Sequence, residues 1–189
     1  MKVLILHPNF PGQFKHVAKF LAEADNDVRF ICQTHYNREI KNICRICIKG
    51  RLGDQQLRKD AKTAIERSRK MAFQYEEAME LLKESWNPDV VISHSGWGCG
   101  TYVKKVWPEC KHIAYVEWWF DPNSSLFYYD TKNKDLGITE KSLSRQWIRN
   151  SQQALELSCA DKLISPTKWQ REQLPNIFKE YCEVIYDGI

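Results

Sequence analysis

The chain opens with Lys2-Val-Leu-Ile-Leu6, an unbroken apolar run, and then follows helical periodicity from Phe14 to Ala24. A short run that is apolar at every position predicts a strand buried on both faces, which a parallel sheet covered by helices demands. The alternation persists along the chain. Strands are expected at Asp27 to Cys32, Asn42 to Ile48, Asp89 to Ser93, His112 to Val116, Asp161 to Ile164 and Cys182 to Ile185. Between them, Leu57 to Ser85, Thr101 to Val106, Glu140 to Ser158 and Thr167 to Leu174 read as helices. The expected fold class is therefore α/β, a doubly wound and mainly parallel sheet with helices on both faces and right-handed crossovers. From Glu117 to about Gly137 the pattern gives way to aromatics, Asn, Asp and Ser, an excursion at the carboxyl end of a strand.

At 189 residues, with 43% hydrophobic and 28% charged residues, the chain has the size and composition of one folded domain rather than of a disordered or fibrous one. Its net charge of +4 comes from 28 Lys and Arg interleaved with 24 Asp and Glu, so no basic run points to nucleic acid. No stretch approaches the roughly 18 to 20 apolar residues of a transmembrane helix, and Met1-Lys2 leads straight into a strand. A cytoplasmic location is expected. The seven cysteines, with Cys32, Cys44 and Cys47 in apolar strand-like runs, are expected to be reduced thiols packed as small hydrophobes. Cys44-Arg-Ile-Cys47 has zinc-knuckle spacing, but no second pair of ligands accompanies it and a strand points the two thiols to opposite faces. No metal site is expected.

Ligands of open parallel sheets bind outside the carboxyl ends of the strands, so the residues just after each strand are the candidates. After the first strand comes His7-Pro-Asn-Phe-Pro-Gly12-Gln13, where Gly12 permits close backbone approach to a ligand. After the fourth comes Ser93-His94-Ser95-Gly96-Trp97-Gly98-Cys99-Gly100, readable as a flexible anion or sugar cradle. After the fifth comes Glu117-Trp118-Trp119-Phe120, a carboxylate whose pKa the aromatic company is expected to raise. Flat aromatic faces with a carboxylate suit a sugar. After the sixth, Ser165-Pro-Thr167-Lys168-Trp169-Gln170-Arg171 carries capping-box spacing between Thr167 and Gln170, together with positive charge.

These blocks resemble the family 4 glycosyltransferases, specifically the N-terminal domain of a bacterial-type subgroup. The resemblance rests on His7-Pro-Asn-Phe-Pro-Gly-Gln-Phe14, Ser93-His-Ser-Gly-Trp-Gly98, Ser165-Pro-Thr-Lys-Trp-Gln170 and the closing Tyr186-Asp-Gly-Ile189. It implies a Rossmann-like domain, residues 1–189, that forms the acceptor side of a two-domain enzyme. It further implies that the C-terminal domain holding the sugar nucleotide lies outside this chain, an expectation in keeping with the turn signal that follows the last strand at Tyr186-Asp-Gly-Ile189. The implied activity is transfer of a sugar from a nucleotide diphosphate to an acceptor, with retention, and the fragment alone is expected to be inactive. The sugar nucleotide is a substrate, and no cofactor is expected. The acceptor is a glycan or a lipid-linked molecule, and peripheral contact with a membrane is left open.

Residue by residue, the resemblance puts Gly12 on the loop that approaches the donor diphosphate, with Phe10 and Gln13 lining the cleft. Many family members carry a His after the fifth strand, where this sequence has Glu117. Glu117 is the candidate catalytic residue; Phe10, Gly12, Gln13, His94, Ser95, Gly96, Trp118, Trp119 and Lys168 are candidates for substrate binding. The alternative is a self-contained dinucleotide or small-ligand module, suggested by Gly96-Trp-Gly98-Cys-Gly100 with Glu117 after the next strand. Its third glycine position is Thr101, and it follows a middle strand rather than the first. A plain interaction domain is the third reading.

Overall fold

A computed structural model describes residues 1–34, 37–48, 64–125 and 140–187. Seven strands form one parallel sheet: β1 (Lys2–Leu6), β2 (Asp27–Cys32), β3 (Ile43–Cys47), β4 (Val90–His94), β5 (Lys111–Tyr115), β6 (Lys162–Ser165) and β7 (Cys182–Val184). Their order across the sheet is β3-β2-β1-β4-β5-β6-β7. The helices are α1 (Lys15–Glu23), α2 (Ala64–Lys83), α3 (Val103–Val106), α4 (Glu140–Cys159), α5 (Lys168–Glu172) and α6 (Asn176–Lys179). This is the doubly wound, Rossmann-like α/β fold that the apolar runs predict. The expected helical residues 57–63, the excursion beyond Ser125 and the closing Gly188-Ile189 lie outside the described residues. Helix α6 has no counterpart in the sequence reading, because one helical turn is too short to show a period.

The strand pleat explains both cores. Val3 and Ile5 of β1 point to one face and pack with Val28, Phe30, Phe14 and Ala18 under α1. Leu4 and Leu6 point to the other and meet Ile31, Val91, Met71 and Tyr75 under α2. Each such aliphatic side chain contributes about 1.5–3 kcal/mol by leaving water. At the β6–β7 end, Ala114, Leu163 and Cys182 pack with Leu157 of α4 and Leu174. Among the described residues no helix is long and apolar enough to cross a membrane. The seven cysteines are free, but Cys44 is exposed rather than a core thiol, because β3 is the sheet edge.

Helix α4 lies beside α2 and carries a polar group into the core. Glu156 is 1% exposed; its Oε1 accepts a 2.6 Å hydrogen bond from the Ser93 hydroxyl, whose oxygen lies 2.8 Å from His112 Nε2. With the hydroxyl donating to Glu156, His112 Nε2 is the donor to Ser93. Ser, His and Glu are chained here, yet the cluster is sealed from solvent and has no route for a substrate. Gly100 sits against it, and a Cβ there would overlap Glu156 Oε1 and Ser93 Oγ.

Burial pushes the Glu156 carboxyl up to about 7 from 4.5, against the Ser93 hydrogen bond. Between those values the folded chain holds a proton that the unfolded chain has released, so raising pH through this window lowers stability. His112 acts in the opposite sense. Burial holds its pKa down to about 4 from 6.5, so its contribution is present above 6.5 and is lost as pH falls towards 4. Glu156→Gln separates the two. The variant is expected to match the parent chain at pH 4 and to be the more stable by about 3 kcal/mol at pH 8, read from urea unfolding at both pH values. A stability difference that does not change with pH would refute this account of Glu156.

Candidate functional site

The strand order reverses direction between β1 and β4, and the loops leaving β1, β4 and β5 meet above that point. Open sheets form their crevice there. Glu117 follows β5, and its side chain is 40% exposed, so a ligand can reach it. Oε2 accepts a 3.0 Å hydrogen bond from His94 Nε2 at the end of β4. The carboxamide of Gln13, from the β1 loop, donates to both carboxylate oxygens at 3.3 Å. The His94 hydrogen bond holds the Glu117 carboxyl below its ordinary range, overriding a burial that works the other way. This corrects the expectation of a raised pKa: the aromatic neighbours desolvate Glu117 less than the histidine stabilises its charge.

His94 is buried, with Nδ1 2.9 Å from the Ser95 carbonyl and Nε2 on Glu117. Both ring nitrogens face acceptors. Around it stand His7, Phe14 and Tyr115, with ring centroids 5.0, 6.4 and 5.3 Å away. His7 is neutral. Its burial, then the charge of His94, hold its pKa down to about 3, and its Nδ1 lies 2.9 Å from the Asn9 amide. The Tyr115 hydroxyl donates to both carboxylate oxygens of Asp187 at 3.0 Å, which ties the closing segment to the end of β5.

Above Glu117 a pocket of about 180 Å³ has His94, Ser95 and Gly96 on one side and Trp118 and Phe120 on another. Trp97, together with Arg67, Ser68 and Met71 of α2 and Arg149 of α4, completes it. Trp118 leans on Phe120 at 6.2 Å and on Trp169 at 5.8 Å, which lengthens the aromatic wall. The Arg149 guanidinium lies over the Phe120 ring, 4.5 Å from its centroid. The wall is held from behind by α4. Asn150 accepts from the Phe120 amide at 3.1 Å and donates to the Phe120 carbonyl at 2.9 Å. Gln153 Nε2 donates to the Trp118 carbonyl at 2.7 Å and to Ser95 Oγ at 3.0 Å. From α5, Thr167 caps the helix through Gln170 N–H, and Gln170 Nε2 donates to the Glu117 carbonyl at 2.9 Å. The capping-box spacing of Thr167 and Gln170 thus also anchors the site.

Of the sequence candidates, Glu117, His94, Ser95, Gly96 and Trp118 converge on the pocket, and Gln13 joins them through Glu117. Three do not. Phe10 is fully buried against Phe30, at 4.9 Å between ring centroids, instead of lining the cleft. Trp119 is buried in the core, its ring 5.7 Å from that of Phe178, because successive side chains in an extended segment point to opposite sides. Lys168 is exposed at the start of α5 and does not line the pocket, whose cations are Arg67 and Arg149. The glycine loop is packed rather than flexible. Gly98 and Gly100 lie against α4 side chains, and only Gly96 faces the pocket. Sequence reasoning missed His7, Arg67, Arg149, Asn150 and Gln153; only the spacing of Asn150 and Gln153, three apart on one helical face, carried a signal.

With this geometry in place, the chain can be set beside known proteins. The model of the glycosyl transferase family 4 group matches residues 24–189. The chain belongs to that family. The matched span includes the Ser93 and Ser165 blocks and begins beyond the His7–Phe14 block. No curated protein gives a significant match to the chain. Among solved structures, it is similar to Arabidopsis thaliana UGT89C1 complexed with UDP-L-rhamnose: TM-score 0.55, 12% identity, 98% of this chain and 51% of that one. It is also similar to the Neisseria meningitidis UDP-GlcNAc 2-epimerase bound to UDP-GlcNAc: TM-score 0.53, 11% identity, 97% and 45% covered. A third is Phytolacca americana UGT2 complexed with UDP-2fluoro-glucose and pterostilbene: TM-score 0.51, 10% identity, 97% and 52% covered. At these identities the likeness establishes the shared Rossmann-like fold, and the chain spans about half the length of these proteins.

Gly12 shows how tightly this family member packs its first loop. Its φ is +55°, a left-handed conformation that favours glycine, and a Cβ there would lie 2.7 Å from His7 Cε1 and Nδ1. Gly12→Val is therefore expected to cost about 2 kcal/mol or more through backbone strain and displacement of His7. Urea unfolding measures this, and a change below roughly 0.5 kcal/mol, the scale of a neutral surface substitution, contradicts it.

Proposed function

We propose that this domain is the acceptor-binding half of a glycosyltransferase that moves a sugar from a nucleotide diphosphate to a hydroxylated acceptor, with retention. Membership of the glycosyl transferase family 4 group supports transfer chemistry, and the UDP-sugars named with the structural neighbours support the donor class. The observation that carries the reading is Glu117. An ionised, half-exposed carboxylate at the switch point, oriented by His94 and Gln13 and walled by Trp118, suits a hydroxyl group to be deprotonated or aligned. His94 holds the carboxylate in one orientation, and the aromatic wall offers a sugar ring a flat apolar face.

On this reading, residues 1–189 hold the acceptor and the donor is held by a second domain, with Gly12 and Gln13 at the junction. The fragment alone is inactive, because the charge that develops on the leaving diphosphate requires preorganised donors from the other half. Two measurements test this. The purified 189-residue chain should transfer no sugar from UDP-glucose or UDP-GlcNAc. In the two-domain protein, Glu117→Gln keeps volume and removes charge, and kcat/KM should fall about 10²-fold, the lower range for acid-base assistance. A fall of less than about threefold in kcat/KM removes Glu117 from the mechanism; turnover by the lone chain removes the half-enzyme assignment.

A further inference from the structure

Two thiols stand side by side at a distance from the pocket. Cys32 ends β2 and Cys47 ends β3, and the parallel register sets them opposite one another. Side chains of residues paired in register across adjacent strands share one face of the sheet, so both thiols turn the same way. Their sulfurs are 3.8 Å apart, and among the described residues this is the one contact between two cysteines. Cys44 shares β3 with Cys47 but lies three residues earlier, where the pleat turns it to the other face.

The geometry lies close to that of a disulfide. Paired strands run about 4.8 Å apart, inside the roughly 4.4–6.8 Å that a disulfide spans between its α-carbons. The sulfurs have to approach from 3.8 Å to about 2 Å. Strand β3 is the edge of the sheet and pairs with β2 alone, so the movement falls on the strand with fewest neighbours. Access divides the two thiols. Cys32 is fully buried, whereas Cys47 is partly exposed. Burial, and then Cys47 beside it, push the Cys32 thiol up to about 12, so Cys32 stays protonated and Cys47 is the one that meets a reagent from solvent.

We propose that Cys32 and Cys47 form a reversible oxidation site, at which a hydroperoxide converts the pair to a disulfide that fastens the edge strand to β2. The Cys47 sulfur attacks the peroxide. An S–O bond forms, the O–O bond breaks, and the departing oxygen takes the Cys47 proton and leaves as an alcohol, or as water from hydrogen peroxide. The Cys32 sulfur then attacks the Cys47 sulfur. The S–S bond forms, the S–O bond breaks, and the hydroxyl leaves as water with the Cys32 proton. Two thiols are oxidised and one peroxide is reduced. The bridge adjoins the first loop, because Gln33 and Thr34, the residues after Cys32, donate from their amides to the Pro8 carbonyl at 2.9 and 3.1 Å. The site is independent of the pocket and of any ligand there.

The test treats the reduced, purified chain with one equivalent of hydrogen peroxide, blocks remaining thiols with iodoacetamide and digests with trypsin. Cleavage after Arg29, Arg38, Arg45 and Lys49 puts Cys32, Cys44 and Cys47 in three different peptides, so their linkage is read directly by mass spectrometry. The Cys32 and Cys47 peptides should appear joined, lighter by two hydrogens than their sum, and dithiothreitol should separate them. The urea midpoint of the oxidised chain should lie above that of the reduced chain and return with dithiothreitol, because the bridge restricts the unfolded chain. In Cys32→Ser the Cys47 sulfenic acid should persist and be trapped by dimedone; Cys47→Ser should give no bridge at Cys32. The peptide map of the unaltered chain decides the matter even where a variant fails to fold. A map without the Cys32–Cys47 linkage, with both thiols alkylated, with Cys47 trapped as sulfenic acid in the unaltered chain, or with linkage through Cys44 or Cys159 instead, overturns the proposal.

Discussion

The buried polar face of α4 is the constraint on which the rest of the site depends. Loops that leave a parallel sheet carry backbone amides and carbonyls that no neighbouring strand satisfies, and burying them unpaired costs about as much as a lost hydrogen bond each. Asn150 and Gln153 supply partners for the β5 loop at Phe120 and Trp118, and Gln153 reaches the β4 loop at Ser95. Gln152 donates to the Ser68 carbonyl at 3.1 Å and to Thr101 Oγ1 at 3.0 Å, which joins α2 to the start of α3. One helix thus binds every element of the pocket wall. It can approach so closely because Gly98 and Gly100 present no side chain to it.

This explains which parts of the molecule were legible in the sequence. The strands were, because a sheet covered on both faces leaves a run of apolar residues that nothing else in a soluble chain requires. Glu117, His94, Ser95, Gly96 and Trp118 were legible because topology alone places the residue after a strand at the crevice. Within a loop that rule weakens. Trp118 and Trp119 are adjacent aromatics of one composition, and only the packing of Trp119 on Phe178 separates wall from core. The three glycines read as a flexible cradle because a sequence shows the missing Cβ and hides the neighbour that fills its place. Arg67 and Arg149 each sit on a helix rich in charge, and nothing local distinguishes them from solvated neighbours. Their convergence is a property of the α2–α4 packing.

Charge placement follows the same architecture. Glu117 and Glu156 are both carboxylates close to His94 and Ser93, consecutive residues at the end of β4, yet their titrations move apart. Glu117 stands above the sheet, meets a histidine and keeps its charge. Glu156 lies below it, with a hydroxyl at one oxygen and no partner among the described residues at the other, and burial favours its neutral form. Two histidines follow the same rule: burial holds His7 and His112 neutral. Environment, rather than residue type, assigns each group its state.

The same separation accounts for how a fold shared at 10–12% identity accommodates different ligands. The sheet demands only that residues of the right size alternate across its pleat, a requirement that many sequences meet. The groups that face the pocket come from the ends of β4 and β5 and from two helices flanking them. Apart from the buried Met71, His94 and Ser95, those positions are partly exposed and carry little of the burial that stabilises the core, so they can change without loss of the fold. The Glu117–His94–Gln13 link is different in kind. It spans the β1, β4 and β5 loops across the switch point, so a change at any of the three alters the orientation of the others and the shape of the crevice together.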